Sequence, residues 1–257
     1  MDVLLPRSLD EALAMKAQRP EAMPIAGGTD LMVEVNFGRL RPPAFIDVSR
    51  VPELSVVQQE NGHIFLGAGV TYAAVVVGLT VCRPLVQASR SVGSPQIRNR
   101  GTVGGNLGTG SPAGDALPVL AAYDADVVLR SQARGERSMP CGTRNAMVIA
   151  VAGLCLQVDE DSRRVKIALG SVGPTIIRAR EAEDQVSEAM ESAGVWQDRT
   201  KRPDDAVIEE FAGRVAAAAR PLDDVRGTAA YRRHACQVLA RRALSWALDE
   251  RALPSWL

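Results

Sequence analysis

Two glycine-rich stretches hold the residues best suited to chemistry. The first, "PIAGGTDL", places Ala26, Gly27, Gly28, Thr29, Asp30 and Leu31 between a short apolar run and a helix-like segment. The second, "RGTVGGNLGTGSPAGD", holds Thr102, Gly104, Gly105, Asn106, Ser111 and Asp115. At a turn from strand to helix, successive main-chain N–H groups point outward together. Glycine permits positive φ angles and lets a ligand approach the main chain closely. The helix that follows adds partial positive charge at its N-terminus. Such a turn suits a phosphate, and two of them suit a diphosphate, whose charge rewards several donors. Asp115 can accept from sugar or sugar-alcohol hydroxyls, while Thr29, Thr102, Asn106 and Ser111 can donate. Asp30 is unfavourable beside a phosphate and suits a helix cap instead. A lone Gly-Gly-Thr is also an ordinary tight turn; the pair points to an anion without naming it. Neither the dinucleotide fingerprint G-x-G-x-x-G nor the P-loop pattern occurs.

Other candidates for chemistry are few. His63 falls in an expected hairpin and His234 in an expected helix, neither with a companion nucleophile, so both read as surface or packing residues. Cys82, Cys141, Cys155 and Cys236 are scattered without a C-x-x-C pair, which fits reduced structural thiols. No metal site is expected within the chain, since an iron–sulfur cluster or structural zinc needs clustered ligands. The 30 basic and 30 acidic residues balance, which argues against a nucleic-acid surface. The arginine pairs Arg232/Arg233 and Arg241/Arg242 read as solvated faces or interface contacts. No run reaches the length of a membrane span. "MDVLLPRSLDEALA" lacks a basic start and a signal-type core, so a cytoplasmic protein is expected.

The elements that must position these residues read as α+β. Ser8 with Glu11 forms a capping box ahead of a helix from about Leu9. "MPIAGG" and "AFIDVSRV" read as strands around a short helix, "TDLMVEVNFGRL". Asn61-Gly62 predicts a hairpin. "TYAAVVVGL" and "PLVQASRSVG" read as helices, followed by one long glycine-rich loop over Ile97–Asp115. "DALPVLAAYDADVVLR" reads as helix then strand. The polar "SQARGERSMPCGTRN" suggests a domain boundary near residue 140. Beyond it, "AMVIAVAGLCLQVDEDSRRVKIALGSVG" reads as two strands, and three helices close the chain. The second of these shows Val207, Ile208, Phe211 and Val215 on one face; the third shows Ala235, Val238 and Leu239.

Taken together, "PIAGGTDL", "IRNRGTVGGNLGTGSPAGDALPVL", "ALGSVGPTIIRAREAE" and "PLDDVRGTAAYRRHACQVLARRAL" resemble the FAD-binding medium subunit of molybdenum hydroxylases, the xanthine dehydrogenase and carbon monoxide dehydrogenase flavoprotein family. The resemblance covers nearly the whole chain in the family's order. It implies two small α/β FAD-binding subdomains of the p-cresol methylhydroxylase type, about 1–54 and 55–140. A C-terminal α/β domain over 141–257, a small antiparallel sheet with helices, follows them. It implies that Ala26–Leu31 and Thr102–Asn106 bind the FAD diphosphate and that Asp115 lies near its sugar-alcohol portion. It implies a large molybdopterin-binding subunit and a small subunit with two [2Fe–2S] clusters as partners, in a dimer of heterotrimers. Electrons would run from molybdenum through the clusters to FAD and on to an external acceptor. The chain departs from the family after "GERSMP", where a few tens of residues that help line the flavin ring are missing; the C-terminal domain is thus expected to be shortened at its start. That departure keeps a flavin-free scaffold open as an alternative, and a stand-alone FAD reductase is a second.

Overall fold

A computed structural model describes residues 1–140, 151–225 and 227–253. Its contacts divide the chain into two compact units. One is Met1–Gly110 with Asp126–Pro140, the other Ser111–Ala125 with Cys141–Leu257.

The first unit opens with β1 (Asp2–Leu4), α1 (Leu9–Gln18), β2 (Met23–Ile25), α2 (Leu31–Asn36) and β3 (Ala44–Asp47). The three strands are parallel in the order β1-β3-β2, with Val3 and Met23 both in register with Phe45. β1 is an addition to the expected elements, because three residues show no alternation to read. Ser8 Oγ accepts from the Glu11 N–H at 3.2 Å, as the capping box requires. The Glu11 carboxylate returns to the N–H of Arg7 at 2.7 Å, one residue before the cap itself. Ala22, Ala44 and Ile46 form the buried centre beneath α1, with Leu4, Met15 and Val48 against it.

The expected hairpin is β4 (Val57–Glu60) with β5 (His63–Leu66). Asn61 and Gly62 both take left-handed φ, 51° and 78°, as a two-residue turn of matching twist demands. Two helices follow, α3 (Tyr72–Gly78) and α4 (Arg83–Ser91). The stretch expected as one long loop is instead largely helical: α5 (Pro95–Arg100) and α6 (Val103–Thr109). Local caps outweigh the poor helix propensity of its glycines. Ser94 Oγ accepts from the Ile97 N–H and Pro95 occupies the first turn, while Thr102 Oγ1 accepts from the Gly105 N–H. α6 stops at Gly110, in left-handed φ 62°. A second hairpin, β6 (Asp126–Ser131) and β7 (Gly135–Pro140), completes the unit. Most of the polar stretch expected as a boundary is therefore hairpin; its end from residue 141, and the start of "AMVIAVAGL", lie outside the described residues.

The second unit holds α7 (Leu117–Ala122), β8 (Gly153–Asp159), β9 (Arg164–Gly170), β10 (Ile177–Arg178), α8 (Arg180–Ser192), α9 (Asp205–Ala218) and α10 (Ala229–Ala252). Its sheet is antiparallel in the order β10-β9-β8. Ile167, Leu169, Val186, Met190, Phe211, Val215, Leu244 and Leu248 form a continuous core between sheet and helices. Buried Glu183 is compensated by the Arg178 guanidinium at 2.6 Å and the Ile167 N–H at 3.0 Å, which fastens α8 to the sheet. Ile208, Phe211 and Val215 face inward on α9 as expected, with Val207 only partly covered. The expected face of α10 is wrong. Arg232, Cys236, Ala240, Leu244 and Leu248, each four residues on, are buried, and Leu239 is exposed. α10 carries apolar residues on two sides, with Tyr231 and Trp246 also exposed, so periodicity alone does not select the inner one.

Candidate functional site

The first glycine turn leaves β2 and enters α2. Gly28 stands at φ 72°, which a side chain would strain. Gly27 lies flat against the main chain of Arg100, where a Cβ would collide with the Arg100 carbonyl. Met32 N–H returns to the Gly28 carbonyl at 3.1 Å. The five N–H groups before it, from Gly27 to Leu31, have no acceptor among the described residues. Five consecutive donors without an acceptor among the described residues, in a half-exposed turn, suit an anion. Asp30 does not cap α2: its side chain makes no cap bond. Its Oδ2 instead accepts from Thr109 Oγ1 at 2.9 Å, joining the turn to the end of α6.

The second glycine stretch is built differently. Val103 N–H donates to Val70 O and Gly104 N–H to Ala68 O, both at 2.9 Å. Gly105 N–H donates to Thr102 Oγ1 and Asn106 N–H to Thr102 O, both at 3.0 Å. The first turn of α6 thus spends its main-chain donors inside the protein, and the expectation of a second N–H nest at Thr102–Asn106 is not met. Gly104 is needed for packing, since a Cβ there would sit 2.6 Å from Ala68 O. What this segment leaves unsatisfied is an acceptor: Asn106 Oδ1 is buried without a partner among the described residues.

Ser111 and Asp115 belong to the second unit. Ser111 starts a tight turn: its carbonyl accepts from the Gly114 N–H at 2.9 Å and its Oγ from the Ala113 N–H at 3.3 Å. The Pro112 carbonyl accepts from the Ser171 N–H at 2.8 Å. Burial pushes the Asp115 carboxyl above the ordinary carboxylate range, and a bond from its own N–H opposes that only in part. Asp115 is a partly covered acceptor suited to hydroxyl donors. Arg232, expected on a solvated face or at an interface, is 3% exposed and paired with Asp224 at 2.6 Å. His63 and His234 are exposed. Among the described residues no cluster of three His, Cys, Asp or Glu could hold a metal, and no helix is long and apolar enough to cross a membrane.

Residues 1–143 match the family described as FAD binding domain in molybdopterin dehydrogenase. The chain belongs to that family. Residues 139–247 of this FAD-binding family member match a second model, the CO dehydrogenase flavoprotein C-terminal domain. It is 41% identical over 139 residues to the nicotinate dehydrogenase FAD-subunit of Eubacterium barkeri, covering 52% of this chain and 47% of that protein. The chain thus spans about half the length of that curated relative. It is 27% identical to the glyceraldehyde dehydrogenase medium chain of Sulfolobus acidocaldarius, over 92% of this chain and 94% of the relative. That match runs over 277 positions, so the relative carries a few tens of residues without a counterpart here. Quinoline 2-oxidoreductase from Pseudomonas putida 86 superposes with a TM-score of 0.82 at 22% identity, over 98% of both chains. Carbon monoxide dehydrogenase from Hydrogenophaga pseudoflava superposes at 0.75 with 25% identity, over 96% of this chain and 98% of that one. The family member is thus an α+β protein of the medium-chain fold, with an FAD-binding domain.

Proposed function

We propose that this chain is the flavoprotein subunit of a cytoplasmic molybdenum-containing dehydrogenase or hydroxylase. The observation that carries the reading is the run of five unmatched N–H groups from Gly27 to Leu31. A diphosphate needs such donors. Ala26 and Thr29 complete that turn. Asn106 Oδ1 and the Asp115 carboxylate fit donors, so they suit hydroxyl and amide groups of FAD and not its phosphates. Thr102 and Gly104 hold the shape of α6, Gly105 donates its N–H to the Thr102 cap and lies close against it, and Ser111 shapes the turn that carries Asp115. Bound FAD would supply reversible two-electron chemistry and the means to pass electrons on singly. The protein's own part is to hold the diphosphate by main-chain dipoles, without reorganisation.

In this reading residues 1–140 are the FAD-binding domain, with subdomains of about 1–54 and 55–140, and residues 141–257 the C-terminal flavoprotein domain. The partners are a large molybdopterin-binding subunit and a small [2Fe–2S] subunit, in a dimer of heterotrimers. Electrons arrive from the clusters and leave to an external acceptor. The unmatched donors favour this reading over a flavin-free scaffold.

Thr29→Glu tests it by placing a carboxylate against the same N–H groups, with Thr29→Gln as the neutral control. The Glu variant should lower flavin content about tenfold while the far-ultraviolet circular dichroism is unchanged, the loss expected when a charge-assisted interaction is replaced by repulsion. Full flavin content in the Glu variant would remove this turn from the site.

A further inference from the structure

We infer that Arg232 is a positioning residue for the turn that carries Asp115. The inference rests on the reading that Asp115 meets the flavin cofactor. Its geometry lies wholly within the second unit. Arg232 projects from the first turn of α10 into the protein. One arm of its fork, Nη2, meets Asp224 Oδ1 at 2.6 Å. Asp224 is itself held in a tight turn, exchanging two main-chain bonds with Gly227 at 3.2 Å. The other arm, Nη1, donates to the Ser171 carbonyl at 3.2 Å. Ser171 is buried and stands at φ 64°, a left-handed conformation that a non-glycine residue keeps only when its surroundings over-determine it. Its N–H in turn donates to Pro112 O at 2.8 Å, inside the Ser111–Asp115 turn. Gly170 lets the two segments approach: a Cβ there would lie 2.9 Å from Pro118 Cγ and 3.2 Å from Pro112 O. The guanidinium therefore holds the unusual backbone of Ser171, and that backbone holds the turn on which Asp115 is mounted.

Two features separate this from ordinary core packing. Arg232 Nε and Ser171 Oγ are both buried without a hydrogen-bond partner among the described residues. The site keeps a buried charge and a strained serine whose hydroxyl contributes no bond, and both serve the main-chain link. A packing role would be filled as well by an apolar side chain.

The test measures FAD affinity of the full chain by fluorescence titration, with thermal stability recorded separately without added FAD. Arg232→Met is combined with Asp224→Asn so that the Asp224 carboxylate does not lose its guanidinium while keeping its charge. This pair should weaken FAD binding about tenfold, the size expected for loosening one charge-assisted contact. In an Asp115→Asn background the same pair should cost nothing further, because its effect runs through Asp115. Ser171→Gly should restore affinity to the pair, since glycine holds left-handed φ unaided. Arg232→Lys, which keeps the charge opposite Asp224, is the second variant should the pair fail to fold; its loss should vanish in the Asp115→Asn background too. Losses that multiply in that background, or affinity that follows thermal stability alone, would overturn the inference. Unchanged affinity in Asp115→Asn alone would overturn both the inference and the role of Asp115. The separate Thr29→Glu result would still stand or fall by itself for the diphosphate turn.

Discussion

At the scale of single residues, Asp115 gives the most direct prediction. Burial raises its carboxyl in the folded chain, so the folded state binds a proton at a pH where the unfolded chain has lost it. Its contribution to stability is therefore unfavourable at neutral pH and recovers as pH falls through the raised value. A hydroxyl donating to the ionised form reverses the preference, so FAD binding should expel a proton in that window. FAD affinity should fall on acidification between the raised and the ordinary aspartate range, and Asp115→Asn should flatten the profile; titrations across weakly acidic pH check it. The cysteines give a second prediction. Burial pushes Cys236 up to about 11 and also raises Cys82. A thiol reagent at neutral pH should leave Cys82, Cys155 and Cys236 unlabelled by mass spectrometry until denaturant is added. The glycine turn itself was legible, because Gly-Gly-Thr between strand and helix has a mechanical meaning. The partner of Asp30 was not: Thr109 lies 79 residues away, and nothing local to either residue announces the pairing.

At the scale of elements, α6 shows how glycines of one helix do opposite work. Gly104→Ala would drive a Cβ against Ala68 and should cost about 2–3 kcal/mol, as overpacking does. Gly108 faces open space, so Gly108→Ala should be neutral or stabilise by up to about 1 kcal/mol through helix propensity. The denaturant midpoint should fall for Gly104→Ala and hold or rise for Gly108→Ala. α5 and α6 were read as loop because glycine count outweighed the caps, yet Ser94-Pro95 and Thr102 are cap signals visible in the sequence. The inner face of α10 was not visible in that way. Two apolar sides compete there, and the choice depends on the sheet and helices that happen to cover one of them.

At the scale of the whole molecule, four motifs in order were enough to place the chain in its family, because they record backbone shapes more than composition. The residues absent relative to longer relatives are expected after Pro140, and the family resemblance implies that they help line the flavin ring. A version with that segment grafted after Pro140 should release flavin more slowly on dilution, followed by the fluorescence of free flavin; unchanged release would mean that other residues or a partner complete the pocket. Leu222, Tyr231 and Trp246 are exposed at 79%, 58% and 66%, and the proposed partners would cover some of that apolar surface. Co-expression with neighbouring-gene products should raise the soluble yield, read by size-exclusion chromatography. The long reach of two bonds has a consequence for the order of biosynthesis. The Gly27–Leu31 turn is tied down only once Thr109 has been made, and the Asp115 turn only once Arg232, 61 residues after Ser171, has followed. A ribosome adding roughly 5–20 residues per second emits the first turn many seconds before its last support. Flavin capture through both turns would thus wait until Arg232 has been made.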